Sequence, residues 1–326
     1  MKKITLDDQN YHCKAEQTVL DALLAADVVV PYGCRQGVCH SCLMRSMDGA
    51  PPDEAQVGLN DAQVAQNHFL ACQCYPEQDM QVCLPEHSQL TAATVVSKQK
   101  LSDKIIQLIL KPVEALEFHA GQFVNLQRED GLLRSYSIAN IPNPDNLMEF
   151  HIRKLPEGQF SQWAFHDLQE GDKLEIHTPQ GECFYVPGNP DQNLLLIGSG
   201  TGLAPLAGII ADALAHQHRG VIHLFHGSRD SSGLYLVDEM RNLAKDHDSF
   251  NYTACTSTTT PHNDFTRGRA NDIALETYPD LKGWRIYLCG HPDMVKTTQQ
   301  KAFLGGAKLQ DIYADAFLVG DNQSSS

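Results

Sequence analysis

The stretch that decides the fold of the first part of the chain is YGCRQGVCHSC, residues 32–42. Within it Cys34, Cys39 and Cys42 are separated by four and two residues, and Cys72 follows after a further twenty-nine. Three thiolates from one tight loop and a fourth from a distant segment is the ligand spacing of a [2Fe–2S] cluster. The spacing therefore predicts that these four cysteines are the metal ligands.

A four-thiolate zinc site is the alternative interpretation of the same cysteines. Zinc sites usually use paired C-x2-C elbows. Here Cys39 and Cys42 form one elbow, whereas Cys72 and Cys74 are separated by a single residue. Cys74 also remains an alternative fourth ligand, although the spacing favours Cys72. Gly37 supplies a residue without a Cβ where the backbone has to curl around the sulfides.

Three blocks of different pattern follow one another along the 326 residues. Block one, residues 1–88, opens with short alternating segments and a helical pattern over 18–26 that Thr18 can cap. Block two, residues 89–188, shows short strands at close spacing, which predicts an antiparallel β-barrel. Block three, residues 189–326, alternates apolar strands with helical stretches, which predicts an α/β domain with a doubly wound parallel sheet.

Block two contains two short motifs with nucleotide-binding chemistry. Residues 134–137 read Arg-Ser-Tyr-Ser; a guanidinium can hold a pyrophosphate through two hydrogen bonds, and an aromatic face can stack on a flavin. Residues 158–161 read Gly-Gln-Phe-Ser at the start of a helical pattern, where unpaired backbone N–H groups favour phosphate. Each match alone is weak, and their order along the chain carries the prediction.

Block three opens with a glycine-rich turn. Residues 198–205 read Gly-Ser-Gly-Thr-Gly-Leu-Ala-Pro after an apolar run, which places the turn between a strand and a helix N-terminus. The uncharged stretch 194–211 is long enough to suggest a membrane span, but its glycines and Pro205 favour strand, loop and helix instead. Near the end, residues 289–294 read Cys-Gly-His-Pro-Asp-Met.

These motifs, taken in order, resemble known redox families. Block one, with Leu-Ala-Cys-Gln at 70–73, resembles the plant-type ferredoxin family, which implies an α+β β-grasp fold. His40 departs from the glycine that this family often has there. Blocks two and three resemble the ferredoxin–NADP reductase superfamily. The whole chain resembles the NADH-dependent reductase components of bacterial multicomponent oxygenases.

The resemblance implies roles for single residues. Arg134 would bind the flavin pyrophosphate, Tyr136 would stack on the flavin, and Ser137 would lie near flavin N5. Ser137 and Cys289, which would lie beside the nicotinamide, are the candidate catalytic residues. The further candidate cofactor contacts are Arg153, Gly158, Ser161, Gly198, Gly200, Thr201, Gly202, Pro205, Gly290 and Phe317.

FAD is favoured over FMN by Arg134 and the 158–161 loop. NADH is favoured over NADPH because residues 255–258, Cys-Thr-Ser-Thr, contain no cation to meet a 2′-phosphate. Arg229 keeps NADPH open.

The resemblance implies an enzyme that passes electrons from NADH through FAD and a [2Fe–2S] cluster to an oxygenase component or a separate ferredoxin. A flavin can convert a two-electron hydride into single electrons. Two alternatives remain: a non-oxygenase acceptor such as a deoxysugar dehydratase system, and a non-enzymatic redox sensor or interaction module. The intact 134–137 and 198–205 segments argue against the second.

The formal net charge of −15 argues against nucleic-acid binding, which needs a basic surface. The first ninety residues hold twelve acidic and five basic residues, a net charge of −7. This excess is either a solubilising surface or a docking face for a basic partner. The N-terminus has no apolar signal region, and ten cysteines favour metal or redox chemistry, so the sequence predicts a cytoplasmic protein without a membrane span.

Overall fold

The computed structural model describes residues 1–84, 90–258 and 264–317. The chain divides into two compact units, Met1–Ser88 and Gln89–Ser326. Among the described residues, no helix has the length and apolar character needed to cross a lipid bilayer.

The first unit is a five-stranded mixed sheet with short helices. Its elements are β1 Lys2–Leu6, β2 Gln9–Cys13, α1 Val19–Leu24, β3 Leu43–Ser46, α2 Asp61–Ala65, β4 His68–Leu70 and β5 Met80–Cys83. The strand order is β2-β1-β5-β3-β4, in which β1 and β5 run parallel and the other neighbours antiparallel. This arrangement is the predicted α+β β-grasp fold.

Helix α1 begins where the sequence predicts, because the Thr18 side chain accepts a hydrogen bond from the Asp21 amide at 3.1 Å. Its residues Leu20 and Leu23 are buried in the core of the unit together with Met44 and Phe69. The helix therefore closes the sheet on one side.

The second unit opens with an antiparallel barrel. Its elements are β6 Leu90–Ser102, β7 Ile105–Pro112, β8 Phe123–Gln127, β9 Leu133–Ser137, β10 Met148–Arg153, α3 Gln159–His166 and β11 Lys173–His177. The strand order is β10-β7-β6-β11-β8-β9, and all neighbours are antiparallel. A bridge between Ile138, just after β9, and Phe150 of β10 brings the two edges together. The predicted barrel is confirmed.

The rest of the second unit is a parallel sheet with helices. Its elements are β12 Leu194–Ser199, α4 Leu203–Ala215, β13 Ile222–Ser228, α5 Val237–Asp246, β14 Phe250–Thr256, β15 Thr266–Arg267, α6 Ala270–Thr277, β16 Arg285–Gly290, α7 Pro292–Leu304 and β17 Ile312–Ala316. Shorter 3₁₀ turns lie at Asp53–Gln56, Gly200–Gly202, Ser231–Gly233 and Leu309–Asp311.

The parallel sheet has the order β15-β14-β13-β12-β16-β17, and every neighbouring pair is parallel. The chain starts in the middle, at β12, and adds strands first on one side and then on the other. This is the predicted doubly wound topology, in which ligands bind beyond the carboxyl ends of the strands near the point where the direction changes. The uncharged stretch 194–211 forms β12, a turn and α4, as predicted.

Candidate cofactor-binding sites

The cysteine loop of the first unit directs backbone N–H groups at thiol sulfurs. The amides of Gln36, Val38 and Cys39 donate to Cys34 Sγ at 3.3, 3.4 and 3.4 Å. The Cys34 amide donates in turn to Cys39 Sγ at 3.4 Å. Such donors stabilise thiolates, which is the state of cysteine that ligates iron.

Left-handed backbone curls the loop into this shape. Arg35, Gly37 and His40 have φ values of 55°, 75° and 55°. At Gly37 an added Cβ would also lie 3.1 Å from the side chain of Gln73, the residue after Cys72. His40 occupies a conformation that favours glycine, which gives a physical reason for the glycine that plant-type ferredoxins often have there.

The four predicted ligands lie in two neighbouring pairs. Hydrogen bonds from the Cys34 amide and then from Ser41 lower the pKa of the Cys39 thiol to about 6, and the Cys34 thiol adds to the effect. Burial raises the pKa of Cys42 to about 11, and the Cys72 thiol lies within hydrogen-bonding reach of it.

Nowhere in the described ranges do three or more His, Cys, Asp or Glu side chains form a group that could hold a metal ion. The sulfurs of the loop instead pair as Cys34 with Cys39 and Cys42 with Cys72, and backbone donors converge on the first pair. This donor set fits a two-iron cluster held by thiolates.

A cleft of about 1650 Å³ lies in the second unit, between the barrel and the carboxyl ends of the parallel strands. Eight of the predicted cofactor contacts line it: Arg134, Tyr136, Ser137, Arg153, Gly200, Thr201, Gly290 and Phe317. The motifs quoted from distant parts of the sequence therefore come together at one site.

Strand β9 presents the predicted flavin-binding residues to this cleft. Tyr136 packs against Phe160 with ring centroids 5.4 Å apart, and burial raises the pKa of its hydroxyl. Arg134 is exposed in the cleft, and its Nη1 donates to the carbonyl of Leu133 at 2.7 Å. Its guanidinium and the aromatic ring beside it fit a flavin nucleotide.

Ser137 is joined to a residue that the sequence did not single out. Its hydroxyl donates to Asp315 Oδ2 at 2.8 Å, which ties the barrel to strand β17. Burial raises the pKa of Asp315, although the hydrogen bond from Ser137 opposes this shift. Asp315 lines the cleft as well. Asp315 lies in the alternating segment 313–317, which the sequence pattern did not identify as a strand.

The glycine-rich turn leads from β12 into helix α4. An added Cβ at Gly202 would lie 2.1 Å from the carbonyl oxygen of Cys289, so the turn and β16 approach each other more closely than any other residue would allow. Helix α4 has no side-chain cap at its N-terminus. Thr201 of the turn and Ala204 of the first turn of α4 line the cleft, which is where a doubly wound fold binds a dinucleotide pyrophosphate.

The other predicted contacts, all in the described part of the chain, do not line the cleft: Gly158, Ser161, Gly198, Gly202, Pro205 and Cys289. The Ser161 hydroxyl instead accepts from the Leu155 amide and donates to the Gly158 carbonyl, both at 3.1 Å, and so closes the first turn of α3.

Cys289, a predicted catalytic residue, is fully buried. Its Sγ lies 3.6 Å from Cys183 Sγ, and burial raises its pKa well above the usual value. Gly290, the next residue, is the one that faces the cleft.

The far end of the cleft contains charged groups. Arg229 follows β13, and Arg269 precedes α6. Lys301 Nζ is paired with Asp272 Oδ1 at 3.0 Å. Ser257 from the 255–258 segment also lines this end. No motif in the sequence indicated that Arg269 lines the cleft, because its position depends on the short strand β15 and on α6.

Three family models match the chain. They are the 2Fe-2S iron-sulfur cluster binding domain at residues 4–77, the oxidoreductase FAD-binding domain at 89–185 and the oxidoreductase NAD-binding domain at 196–300.

Two curated relatives match over almost their whole length. The reductase subunit of an aromatic O-demethylase from an Amycolatopsis species is 32% identical, and the match covers 90% of this chain and 91% of that protein. The ferredoxin–NAD(P)+ reductase component of the naphthalene 1,2-dioxygenase system from Pseudomonas putida is 31% identical, with 94% and 95% covered.

Solved structures show the same architecture. The crystal structure of the Amycolatopsis cytochrome P450 reductase GcoB aligns with a TM-score of 0.68 at 29% identity, covering 97% of this chain and 99% of that one. A ferredoxin NADP+ reductase from Neisseria gonorrhoeae with bound FAD and NADP aligns with a TM-score of 0.60 at 20% identity, covering 70% of this chain and 99% of that one. The latter likeness concerns the fold alone.

The fold and the cleft define an oxidoreductase that joins an iron–sulfur domain to flavin and nicotinamide domains. The chain belongs to the family of iron–sulfur flavoprotein ferredoxin–NAD(P)+ reductases. It is an NAD(P)H-dependent enzyme, and its cofactors are a [2Fe–2S] cluster, FAD and NAD(P).

Proposed function

We propose that this enzyme takes electrons from NADH and delivers them, through FAD and the cluster of the first unit, to an oxygenase component or a separate ferredoxin. The observation that carries the proposal is the single cleft that unites Arg134, Tyr136 and Ser137 with the glycine-rich turn and Gly290. Relatives that match the whole chain are named as reductase components or subunits, one of a dioxygenase system and one of an aromatic O-demethylase.

The cluster is held by Cys34, Cys39, Cys42 and Cys72. Strand β9 would hold FAD: Arg134 would bind its pyrophosphate, Tyr136 would stack on its ring system, and Ser137, with its hydroxyl donated to Asp315, would lie near its reactive nitrogen. When bound, FAD accepts a hydride and gives up electrons one at a time.

Other candidate residues act by shaping the site. Gly158 and Ser161 build the N-terminus of α3. Gly198, Gly202 and Pro205 fix the turn and the start of α4. None of these five residues lines the cleft. Gly200, Thr201 and Gly290 contact the nicotinamide dinucleotide, with Arg153 between the two nucleotides. Cys289 supports Gly290 from behind, and Phe317 covers the flavin.

We propose functional domain bounds at 1–88, 89–188 and 189–326. The first bound coincides with the division between the compact units. The second falls after the match to the FAD-binding model ends at 185 and before the NAD-binding match begins at 196.

NADH is the proposed donor, because the 255–258 segment offers no cation to a 2′-phosphate. NADPH is the second candidate, since Arg229 and Arg269 both line the same end of the cleft. The ratio of kcat/KM for the two nucleotides decides between them. A ratio that favours NADPH and falls in the double variant Arg229→Ala/Arg269→Ala would replace NADH by NADPH as the donor.

The acceptor docks on the first unit, whose net charge of −7 favours a basic partner. Val38, in the cysteine loop, and Val57 are 77% and 71% exposed. Gly58, next to Val57, lies beside the His40 ring, so both valines belong to the surface around the loop. Exposed apolar side chains on an acidic domain suit a partner that offers apolar contacts and basic side chains.

Ionic strength tests this docking. Surface charges are screened beyond about 10 Å at 0.1 M salt. Reduction of the native acceptor should therefore slow several-fold between low and high salt, and Asp53→Lys/Glu54→Lys should slow it at low salt. Rates that ignore both changes would rule out electrostatic docking on this unit.

The central test of the function uses protein purified without oxygen. It should contain iron, sulfide and FAD and should reduce cytochrome c with NADH. Zinc without sulfide would refute the proposal. An intact cluster and flavin without NADH-driven turnover would favour the redox-sensor alternative, and turnover with a deoxysugar dehydratase system but no oxygenase would identify a different acceptor.

We also propose a cytoplasmic location, because the ten cysteines, all within the described residues, form no disulfide. Recovery of the activity in a membrane or secreted fraction would contradict this.

A further inference from the structure

A buried tyrosine links the barrel to the parallel sheet behind His151, a residue that lines the cleft. Tyr235 precedes α5, and its hydroxyl lies 2.9 Å from Nδ1 of His151 on β10. The other ring nitrogen of His151, Nε2, lies 2.9 Å from Glu149 Oε1. Tyr235 and His151 are both almost fully buried, so the imidazole has polar partners on both sides and a fixed position.

The same tyrosine touches the glycine-rich turn through a second histidine. Its ring packs edge-on against His151, with centroids 5.4 Å apart, and against His226, with centroids 5.7 Å apart. His226 is completely buried, and its Nε2 donates to the carbonyl of Gly200 at 3.1 Å. Tyr235 therefore stands between a barrel strand and the turn that lines the cleft.

Strand β10 also reaches this turn directly. Its residue Arg153 has Nη1 at 3.3 Å from the position that a Cβ on Gly200 would occupy. His151 and Arg153 lie two residues apart, so they project from the same face of the strand. The turn therefore lies close to Arg153 and is linked to His151 through Tyr235 and His226.

We propose that Tyr235 is a positioning residue for hydride transfer, which holds the Gly200 turn in register with the barrel through His151 and His226. This inference rests on the proposed function. Transfer requires the reacting atoms to lie about 3–3.5 Å apart, and a displacement of about 1 Å can cost about a hundredfold in rate. Tyr235 itself does not line the cleft, so it would control that distance without touching either nucleotide.

The chain offers a matched control in Tyr278. Its hydroxyl lies 2.8 Å from His223 Nδ1, and the two rings meet edge-on at 5.6 Å, but both residues belong to the parallel-sheet half and neither lines the cleft. Tyr278→Phe therefore removes a similar hydrogen bond without weakening the contact between the barrel and the parallel sheet.

The experiment compares Tyr235→Phe with Tyr278→Phe in the full-length holoenzyme. Tyr235→Phe should speed hydrogen–deuterium exchange of the amides in residues 198–204 and weaken NAD+ binding several-fold. It should also slow flavin reduction by saturating NADH on the order of tenfold. Flavin and iron content and reduction by dithionite should not change. Tyr278→Phe should leave all of these readouts at the wild-type level.

Equal behaviour of the two variants, with lower melting temperatures but unchanged loop exchange and hydride transfer, would overturn the inference. If Tyr235→Phe does not fold, His151→Gln takes its place with the same readouts. A wild-type enzyme that NADH cannot reduce would refute the proposed function. A wild-type enzyme that works beside an unaffected Tyr235→Phe would refute only the role of Tyr235.

Discussion

Cys72 and Cys74 are separated by one residue, and their surroundings differ. Cys72 lies beside the Cys42 thiol, and its Sγ is 3.5 Å from the side-chain nitrogen of Gln73. Cys74 is completely buried, with its Sγ 3.9 Å from Met80 Sδ, and burial raises its pKa to about 12. Cys72 thus lies beside another predicted ligand, whereas Cys74 packs into the apolar core against Met80.

We therefore expect Cys72→Ser to lose the cluster and Cys74→Ser to keep it. Iron and acid-labile sulfide measured on anaerobically purified protein should fall close to zero in the first variant and stay at the wild-type level in the second. Cys74→Ser should still lose about 1–3 kcal/mol of stability, because it places a hydroxyl in the core. The reverse pattern of metal content would assign the fourth ligand to Cys74.

Asp315 predicts a pH dependence of stability. Burial raises its pKa above the ordinary 3.8, so the folded protein favours the neutral carboxyl. The stability that this provides is fully present below pH 3.8 and is lost as the pH rises through the folded-state value. Asp315→Asn keeps the group neutral at every pH. Its melting temperature should therefore rise relative to wild type between pH 4 and pH 8.

A melting-temperature difference that does not vary with pH would show that folding does not raise the pKa of this carboxyl.

The order of the motifs along the chain predicted which residues come together at the cofactor site. The packing of the side chains determines which of these residues line the cleft. Arg134, Tyr136 and Ser137 were predictable because each type has an evident role beside a flavin nucleotide. Asp315 was not, since its position follows from the pairing of β17 with β16, where it stands opposite Cys289. The burial of Cys289 against Cys183 depends on a contact across 106 residues, which no local pattern encodes.

Long elements with regular periodicity were predicted well, and short ones were not. The stretch 194–211, predicted as strand, loop and helix, forms β12, the turn and most of α4, and block two forms the predicted antiparallel strands. Strands β3 and β4 have four and three residues, too few for an alternating pattern to stand out. Helix α6 has only eight residues, and strand β17 is defined by its pairing with β16 rather than by its own sequence; neither was predicted.

The close contact between the turn before α4 and strand β16 can be tested by substitution. Gly202→Ala would force apart the turn and β16, because its Cβ would meet a backbone carbonyl. We expect a loss of about 3 kcal/mol or more, typical of overpacking against backbone, together with weaker NAD+ binding. Thermal unfolding and nucleotide titration measure both effects.

Gly171→Ala is the matched control, since Gly171 has a φ of 91° but open space around it. It should cost only about 1 kcal/mol, from backbone strain, and leave NAD+ binding unchanged. Equal losses in the two variants would mean that the close approach at Gly202 is unimportant.

For the whole molecule, the sequence predicted three blocks, and the contacts form two compact units. The reason lies in α4, which packs directly on the barrel. An added Cβ at Gly208 would lie 3.1 Å from Ala120 and from Ala139, and Gly121 lies against Ile209. Together with the Ser137–Asp315 bond, this contact merges the flavin and nicotinamide blocks. Such packing depends on side-chain shape across the two blocks and leaves no periodic signal.

This organisation predicts that the chain can be divided after Ser88. A reductase fold that occupies 99% of another protein aligns with 70% of this chain, which is about the length of the second unit. Residues 89–326 expressed alone should therefore fold, bind FAD and be reduced by NADH at the full-length rate, since every described residue that lines the cleft lies in this unit. Their reduction of a one-electron acceptor that requires the cluster should fall at least tenfold. Absorbance at the flavin band follows the first step, and the absorbance of the acceptor follows the second. Adding residues 1–88 as a separate chain should restore little of the rate, because the two pieces no longer meet at the high effective concentration that a linker provides. A second unit that passes electrons to the native acceptor at the full rate would show that the cluster is not on the electron path.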